Sequence, residues 1–201
     1  MNLEHRLSDS DQTREPQIAL SAGSKIQGGV DPLGFIKDEF VVYPAHGVGQ
    51  ILAIEVQVVA GASLEFFVVY FAKSKMRARV PTHKAAGIGI RKLSSPAVIE
   101  QVRRTLSKTA PRARMHWSRL TKEYESKIKS GDVIALAEVM RDLHRRNAAS
   151  EQSYSQWQFY LAALDRLSDE IALVERVTVE AAVLELESLL KAKTLGGRKS
   201  V

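Results

Sequence analysis

The feature that most constrains this fold is a change of sequence pattern at Ser95 and Pro96. Before it, short runs of β-branched and aromatic residues are separated by Gly and Pro, a pattern typical of strands joined by tight turns. After it, apolar residues recur at three- and four-residue spacing, which indicates packed helices. Ser followed by Pro is typical of a helix start. The chain is therefore predicted to be an α+β protein with an N-terminal β part and an all-α C-terminal part.

The β part is predicted to contain five short strands. They are placed at residues 40–43, 48–59, 64–71, 76–80 and 88–91. Gly47, Gly61 and Gly87 stand where turns are needed. Five strands in so short a segment must close on themselves or cover their edges, because open edges invite aggregation. We therefore expect a small barrel of the Tudor or SH3 type.

The helical part is predicted to contain five helices. They are placed near residues 96–108, 115–129, 133–148, 154–175 and 178–193. Ser130, Gly131 and Asp132 end one helix and cap the next, which predicts a tight reversal. Trp157 and Tyr160 fall on an otherwise apolar helix and are expected to be packing residues, with a surface role as the alternative.

These patterns predict four regions. Residues 1–34 are polar and without a sustained period, so we expect a disordered extension. Residues 35–94 form the β domain and residues 95–194 the helical domain. Residues 195–201 are expected to be a flexible tail.

Composition argues against an enzyme. The chain has no Cys, which excludes disulfide scaffolds, Cys-ligated zinc and Cys nucleophiles. No two of its five His residues have the spacing of metal ligands on one face, and no glycine pair has the pattern of a dinucleotide loop. We therefore predict no catalytic residue, no cofactor and no metal. The N-terminus lacks a secretory signal and no apolar run could span a membrane, so we expect a cytoplasmic protein without a membrane partner.

The distribution of charge favours a nucleic-acid partner. The formal net charge is +6, and residues 101–122 hold seven basic residues and no acidic one. Trp117 lies within this stretch at the start of a predicted helix. Two hypotheses stand for it: a half-buried residue that staples the helix start under a stacked Arg, or an aromatic wedge inserted at a base step while nearby cations hold phosphates.

Basic residues also mark the predicted fourth strand. Lys73, Lys75, Arg77 and Arg79 alternate with less polar residues, which places them on one face of a strand. Such a strand is either a charged edge that prevents aggregation or an edge offered to a partner by strand addition, with Arg79 as its anchor.

Seven segments within residues 35–190 form an ordered set of motifs: 42–49 (VYPAHGVG), 54–55 (IE), 76–81 (MRARVP), 87–91 (GIGIR), 117–119 (WSR), 130–133 (SGDV) and 137–146 (AEVMRDLHRR). In order and spacing they resemble the CarD/CdnL family of bacterial transcription regulators, which bind RNA polymerase.

The resemblance implies a function and its residues. It implies a Tudor-like domain that binds the β subunit of RNA polymerase and a helical domain that contacts promoter DNA at the upstream edge of the transcription bubble. Such proteins stabilise the open complex without reading sequence. The polymerase-binding residues would be Met76, Arg77, Arg79, Val80 and Pro81, and the DNA-binding residues Trp117 as wedge with Arg119, Lys122, Arg114, Arg145 and Arg146. A monomer, associated with the nucleoid through polymerase, is expected.

The chain also departs from the family pattern. Residues 37–39 (KDE) replace a Val-Gly-Asp turn, Leu120 follows Arg119 where a second Arg is common, and residues 151–158 contain Gln and Trp157 where basic residues are common. These departures keep two alternatives open: a polymerase-docking protein with little DNA contact, and a general nucleic-acid-binding protein independent of polymerase.

Overall fold

A computed structural model describes residues 34–59, 61–110, 117–147 and 154–196, without the side chains of residues 117, 145–147 and 193–196. The strands are β1 Phe40–Tyr43, β2 Gly47–Val59, β3 Ala62–Phe71, β4 Met76–Pro81 and β5 Arg91–Lys92. The helices are α1 Thr82–Ile88, α2 Pro96–Ser107, α3 Trp117–Ser130, α4 Val133–Asn147, α5 Tyr154–Glu175 and α6 Val179–Gly196. The predicted α+β class, a Tudor-like β domain followed by helices, is confirmed.

The five strands form one antiparallel sheet in the order β4-β3-β2-β1-β5. Among the described residues β4 and β5 do not pair with each other, so the sheet is open rather than the closed barrel that we predicted. The physical reason is the length of β5, which has two residues and pairs only with β1. The chain between β4 and β5 is a helix instead of strand, and it packs Ala85 into the core of the sheet.

The predicted strand at residues 88–91 is therefore wrong. Residues Thr82–Ile88 form α1, which ends at Gly89 with a φ of 84°, and the strand is Arg91–Lys92. Isoleucines at 88 and 90 suggested a strand. A helix forms instead and ends at Gly89, because this glycine adopts the left-handed conformation typical of a helix C-terminus. Its N–H donates to the carbonyls of Ala85 and Ala86.

The core of the sheet lies on one face. Phe67, Val69 and Phe71 of β3 are buried there, together with other apolar residues (Phe35, Val41, Ile51, Val80, Ala85 and Ile90). Gly49 of β2 packs directly against this cluster, and a Cβ on it would come within 2.6 Å of Val69 Cγ1. Only glycine fits at this position of β2 without moving the core.

In the first turn of the sheet, Asp38 stands where the resembled family has a glycine. Asp38 itself has a φ of 67°, and its N–H donates to the carbonyl of Ile51 at 2.7 Å. Asp is one of the residue types that tolerate this conformation at moderate cost.

The helices pack around a second core, which includes Ile99, Tyr124, Met140, Leu167 and Leu186. The tight reversal predicted at residues 130–132 is confirmed: Gly131 has a φ of 70°, and the Asp132 carboxylate accepts from the N–H of Ile134.

Contacts between helices define two ends of the bundle. Tyr124 of α3 packs near Phe159 of α5, and the carbonyl of Ile128, further along α3, accepts from Arg166, further along α5. Therefore α3 and α5 run in the same direction, while α4 and α6 return beside them. We call the end that holds Ile128, Gly131 and residues 165–173 the sheet end. The other end, with the first turns of α3 and α5 and the last turns of α4 and α6, is the distal end.

Candidate binding surfaces

Strand β4 lies at the edge of the sheet and presents its basic residues to solvent. It pairs with β3 on one side, from Met76 opposite Phe71 to Pro81 opposite Phe66, and with no described strand on the other. Arg77 and Arg79 are exposed, Met76 and Ala78 are half-buried, and Val80 is buried. The outer backbone groups of β4 are therefore available for a further strand.

Arg79 forms an ion pair with Glu55 of β2, across the intervening β3. The distance between Arg79 Nε and Glu55 Oε2 is 3.5 Å, and the two side chains are 62% and 40% exposed. Exposed pairs of this kind contribute about 0–1 kcal/mol to stability. Arg79 can therefore exchange Glu55 for a carboxylate on a partner at small cost.

Lys73 and Lys75 do not belong to β4, contrary to the predicted alternation. They lie in the turn between β3 and β4, where Lys75 has a φ of 52°. Lys73 forms ion pairs with Asp165 and Asp169 of α5, the latter at 3.0 Å. Burial alone lowers the pKa of Lys73, but its hydrogen bonds to the two carboxylates prevail and raise it. Lys73 therefore joins the sheet to the helices.

Arg91 and Glu170 form the principal ion pair between the sheet and the bundle. Arg91 Nη1 and Nη2 donate to the two carboxylate oxygens of Glu170 at 2.7 and 2.8 Å, and the Ser94 N–H donates to the same carboxylate at 2.8 Å. Glu170 is only 1% exposed. Arg91 also donates to the carbonyl of Gly131. This geometry connects β5, the start of the helical part and α5 at one point.

Arg166 provides a second connection at the sheet end. Its guanidinium donates to the carbonyls of Pro44 at 2.7 Å, Ala45 at 3.3 Å and Ile128. Burial lowers the pKa of Arg166. Gly131 packs against the same turn, because a Cβ there would lie 3.3 Å from Pro44 Cα. The turn between β1 and β2 therefore packs directly against the reversal between α3 and α4.

Sequence reasoning missed these connecting residues. The partners Arg91 and Glu170 are 79 positions apart, and each is an ordinary charged residue in its own segment. In the sequence, Arg91 is distinguished only as the last residue of the 87–91 motif. The one local signal is that Glu170 falls on the same face of α5 as buried Leu167 and Ile171.

A cavity of about 580 Å³ lies between the sheet and the turn that joins α5 to α6. Apolar side chains such as Phe40, Val48 and Leu173 line most of it. Its two charged residues, Lys73 and Asp169, are paired with each other. Among the residues that line it, the cavity therefore offers no unpaired charged group for acid–base chemistry.

The predicted DNA-binding residues converge on the distal end, as far as the structure describes them. Arg119 and Lys122 lie in the first turns of α3, are exposed, and form no ion pair with another described residue. Arg145 and Arg146 lie in the last turn of α4, but their side chains are outside the described residues, as is that of Trp117 at the first position of α3. Arg114 lies wholly outside the described residues.

Leu120, the departure after Arg119, belongs to the helical core. It is 3% exposed and packs in the same cluster as Tyr124. An Arg at this position would place a charge inside the core, which is costly without a partner.

The aromatic residues of α5 separate into a buried and an exposed one. Tyr160 is 5% exposed, which agrees with its predicted packing role. Burial raises the pKa of its hydroxyl to about 12. Trp157 is 40% exposed and stacks on Tyr160, with ring centroids 5.6 Å apart and planes at 13°. Trp157 therefore packs on Tyr160 at the surface rather than inside the core, which agrees with the surface alternative for this residue.

Comparisons with known proteins match both parts of the chain. The domain family described as CarD-like/TRCF RID domain matches residues 35–94, and that described as CarD, C-terminal domain matches residues 101–187. YdeB of Bacillus subtilis (strain 168), named as a candidate transcription factor, is 26% identical over 138 residues, which cover 69% of this chain and 90% of YdeB. None of the described helices is long and apolar enough to span a membrane.

A Tudor-like sheet with an open edge, joined to a helical domain of this kind, defines a two-domain regulator of transcription. The chain belongs to the CarD/CdnL family.

Proposed function

We propose that the chain binds the β subunit of RNA polymerase through β4 and holds promoter DNA at the distal end of the helical bundle. By doing so it stabilises the open complex at the upstream edge of the bubble, without reading base sequence. Met76, Arg77, Arg79, Val80 and Pro81 are the proposed polymerase contacts. Trp117 is the proposed wedge, with Arg114, Arg119, Lys122, Arg145 and Arg146 as phosphate contacts.

The observation that carries this proposal is the convergence of separate segments at the distal end. The first six residues of α3, the last seven of α4, the first eleven of α5 and residues 187–193 of α6 hold seven basic and two acidic residues. An excess of basic residues at one end of the bundle supports contact with a nucleic acid, because cations bind phosphates.

Strand β4 supports the polymerase contact. Its free edge can form main-chain hydrogen bonds with an extended segment of a partner. The exposed Arg77 and Arg79 favour a partner segment with acidic side chains. This strand is also the segment at residues 76–81 that carries part of the family resemblance, and its two basic residues, Arg77 and Arg79, are exposed.

Two weak contacts on one protein suffice for the proposed mechanism. Docking on polymerase raises the effective concentration of the distal end near the promoter. If that end binds the open junction better than closed duplex by about 1.4 kcal/mol, the equilibrium between the two shifts about tenfold. The connections of Arg91 and Arg166 matter here, because they join the sheet that carries β4 to the helical bundle.

Arg79→Glu tests the polymerase contact in the full-length chain. We expect affinity for the polymerase β subunit to fall at least about tenfold, because the reversed charge would face acidic partner groups. Arg104→Glu is the matched control, since Arg104 is similarly exposed (71% against 62%) but lies on α2. Equal affinity for wild type and Arg79→Glu, with both folded by circular dichroism, would refute β4 as the docking strand. Retained DNA binding in that case would leave a polymerase-independent nucleic-acid-binding protein.

Trp117→Ala tests the DNA contact. We expect a shorter lifetime of the open promoter complex with unchanged affinity for polymerase, because the wedge acts only on melted DNA. The lifetime is measured after addition of a competitor DNA. If Trp117→Ala leaves the lifetime unchanged, the wedge does not exist, and a docking protein with little DNA contact becomes the better description.

A further inference from the structure

The polar contacts between the sheet and the helical bundle converge on one short stretch of α5, residues 165–170. Its side chains at positions 165, 166, 169 and 170 bond to three separate segments of the sheet: the turn between β1 and β2, the turn between β3 and β4, and β5. We call these contacts the junction. The chain itself crosses from β5 to α2 in three residues, 93–95. Such a connection limits the separation of the two parts without fixing their orientation, so the orientation depends on the junction.

Glu170 is the most buried charged residue of the junction. Its carboxylate is out of water and accepts two hydrogen bonds from Arg91 and one from the Ser94 N–H. By contrast, Lys73 and Asp165 each expose more than half of the side chain (56% and 53%), so their ion pair contributes little. A buried carboxylate must keep its partners, because an unpaired charge inside the protein is strongly destabilising. Glu170 therefore opposes any movement that separates it from Arg91.

Loss of the Glu170 carboxylate favours an open junction. A Gln at this position offers one amide oxygen to three donors, and its NH2 group faces the Arg91 guanidinium. The guanidinium then lacks an acceptor while the junction is closed and regains water when the junction opens. Glu170 belongs to neither apolar core, so the sheet and the bundle each keep their own packing.

We propose that Glu170 is a positioning residue for stabilisation of the open complex. Its bonds to Arg91 and to the Ser94 N–H fix the orientation of the bundle on the sheet, so that β4 engages polymerase and the distal end engages DNA at the same time. This inference rests on the proposed function and adds to it the condition that the two contacts act at one relative orientation. The effective concentration of a second contact is highest when the connection matches the separation of the two partners, and it falls when the connection is loose.

Glu170→Gln and Glu175→Gln form a matched pair of variants. Glu175 lies on the same helix, and Arg103 Nη2 donates to its two carboxylate oxygens at 2.6 and 2.8 Å. Arg103 belongs to α2, so this ion pair lies within the bundle. Each variant removes one carboxylate of α5 that binds an Arg, but only Glu170→Gln weakens the junction. Circular dichroism checks that both variants are folded.

The orientation can be measured in the full-length chain without polymerase or DNA. The chain has no Cys, so spin labels can be attached through Lys84→Cys on α1 and Leu184→Cys on α6, both at exposed positions. Pulsed electron paramagnetic resonance gives the distribution of distances between the two labels. We expect this distribution to be wider in Glu170→Gln than in the chain with native Glu170, and unchanged in Glu175→Gln. The same width in all three proteins would overturn the proposal.

The functional test separates binding from the lifetime of the open complex. We expect Glu170→Gln to bind the polymerase β subunit and promoter DNA, each alone, with wild-type affinity, because Glu170 belongs to neither proposed surface. The lifetime of the open promoter complex should nevertheless shorten by about threefold or more, because the two contacts no longer act together. Glu175→Gln should leave both affinities and the lifetime unchanged.

A disulfide across the junction provides a rescue. A Cβ at Gly131 would lie 3.4 Å from Pro44 Cβ, close to the roughly 3.5–4.5 Å that a disulfide requires. Pro44→Cys and Gly131→Cys are added to Glu170→Gln, and the oxidised protein should recover the long lifetime that it loses again in dithiothreitol. The comparison is made within one protein, so any backbone strain from the substitution at Gly131 is common to both states.

The outcomes separate the positioning role from the proposed function. If Glu170→Gln and wild type prolong the open complex equally, the positioning role is refuted and the proposed function stands. If the lifetime shortens but oxidation does not restore it, Glu170 acts through something other than orientation, and the proposal is likewise refuted. If the wild-type chain itself neither binds polymerase nor prolongs the open complex, the proposed function fails and the positioning role fails with it.

Discussion

Two groups of cations differ in how they are paired. At the sheet end Lys73 pairs with Asp165 and Asp169, Arg91 with Glu170, and Arg166 with three backbone carbonyls. At the distal end Arg141 pairs with Asp142 and Lys191 with Glu187, but Arg119 and Lys122 are exposed and form no ion pair with any other described residue. Both ends are rich in basic residues, so composition does not distinguish them.

This difference teaches that partnered cations serve the fold and unpartnered ones are available for a ligand. A guanidinium that donates to buried carboxylate and carbonyl oxygens holds two segments together, and it would have to lose those bonds to bind a phosphate. An exposed cation without a partner loses only water and counterions. The same reasoning sets Tyr160, inside the core, apart from Trp157, which lies on top of it.

Removing the buried carboxylate at the sheet end has the largest expected effect. Glu170→Ala should lower the free energy of unfolding by about 2–4 kcal/mol, because it leaves the Arg91 guanidinium and the Ser94 N–H without their acceptor. Urea denaturation of the full chain measures the change. Glu100→Ala, which removes a half-exposed surface pair, should cost less than about 0.5 kcal/mol. Equal losses in the two variants would mean that the buried carboxylate contributes no more than an exposed ion pair.

Neutralising the distal cations changes the salt dependence of DNA binding. Arg119→Ala and Lys122→Ala should each reduce the slope of log Kobs against log salt concentration by about 0.9, because each removes one phosphate contact. Stability should change by less than about 0.5 kcal/mol, since both side chains are exposed. Lys129→Ala is the control, because Lys129 is 75% exposed on the same helix but lies near its sheet end. A slope that falls equally for Lys129→Ala would mean that the whole of α3 acts as a diffuse positive surface.

The smallest expected effect is a pH dependence of stability at the distal end. Burial, followed by the nearby Lys191, lowers the pKa of His144 below its ordinary 6.5, with Glu187 opposing the shift. The folded protein therefore resists a proton that the unfolded chain accepts, so stability is complete above pH 6.5 and decreases as the pH falls below it. His144→Gln should reduce this decrease.

The measurement is the urea midpoint at about pH 7.5 and about pH 5.5 for wild type, His144→Gln and the exposed-site control His83→Gln. Only His144→Gln should narrow the gap between the two midpoints. If the gap is the same in all three proteins, the proton uptake on unfolding occurs elsewhere.

Much of the fold could be predicted because its signals are local. Strand β1 and helix α5 have the predicted limits, and Gly131 makes the predicted reversal, since turn and cap chemistry depends on residues a few positions apart. Helix α1 was not predicted, because Ile88 and Ile90 indicated a strand. The two alanines of the helix and Gly89 at its end are weaker local signals. The open sheet was not predicted, because closure requires the first and last strands of the sheet to pair. The positions of the strands in the sequence do not determine that pairing.

The candidate sites divide in the same way. The exposed alternation of Arg77 and Arg79 follows from the period of a strand, and the sequence predicts it. The separation of Lys73 from that strand depends on two carboxylates on α5, 92 and 96 positions away. The exposure of Trp157 depends on the direction of the Tyr160 side chain. An apolar helix pattern predicts that one face is buried, but it does not predict which of two neighbouring aromatic rings lies inside the core and which lies on top of it.

By itself, the sequence determined the kinds of element, their order, the reversals between them and the family to which their motifs belong. Periodicity and capping are set within a few residues, so they are readable along the chain. The tertiary structure alone decided which cations are partnered, which end of the bundle meets the sheet and which tryptophan surface stays in solvent. Those properties arise from contacts between residues far apart, such as Arg91 with Glu170, whose free energy exists only when the fold brings both groups out of water together.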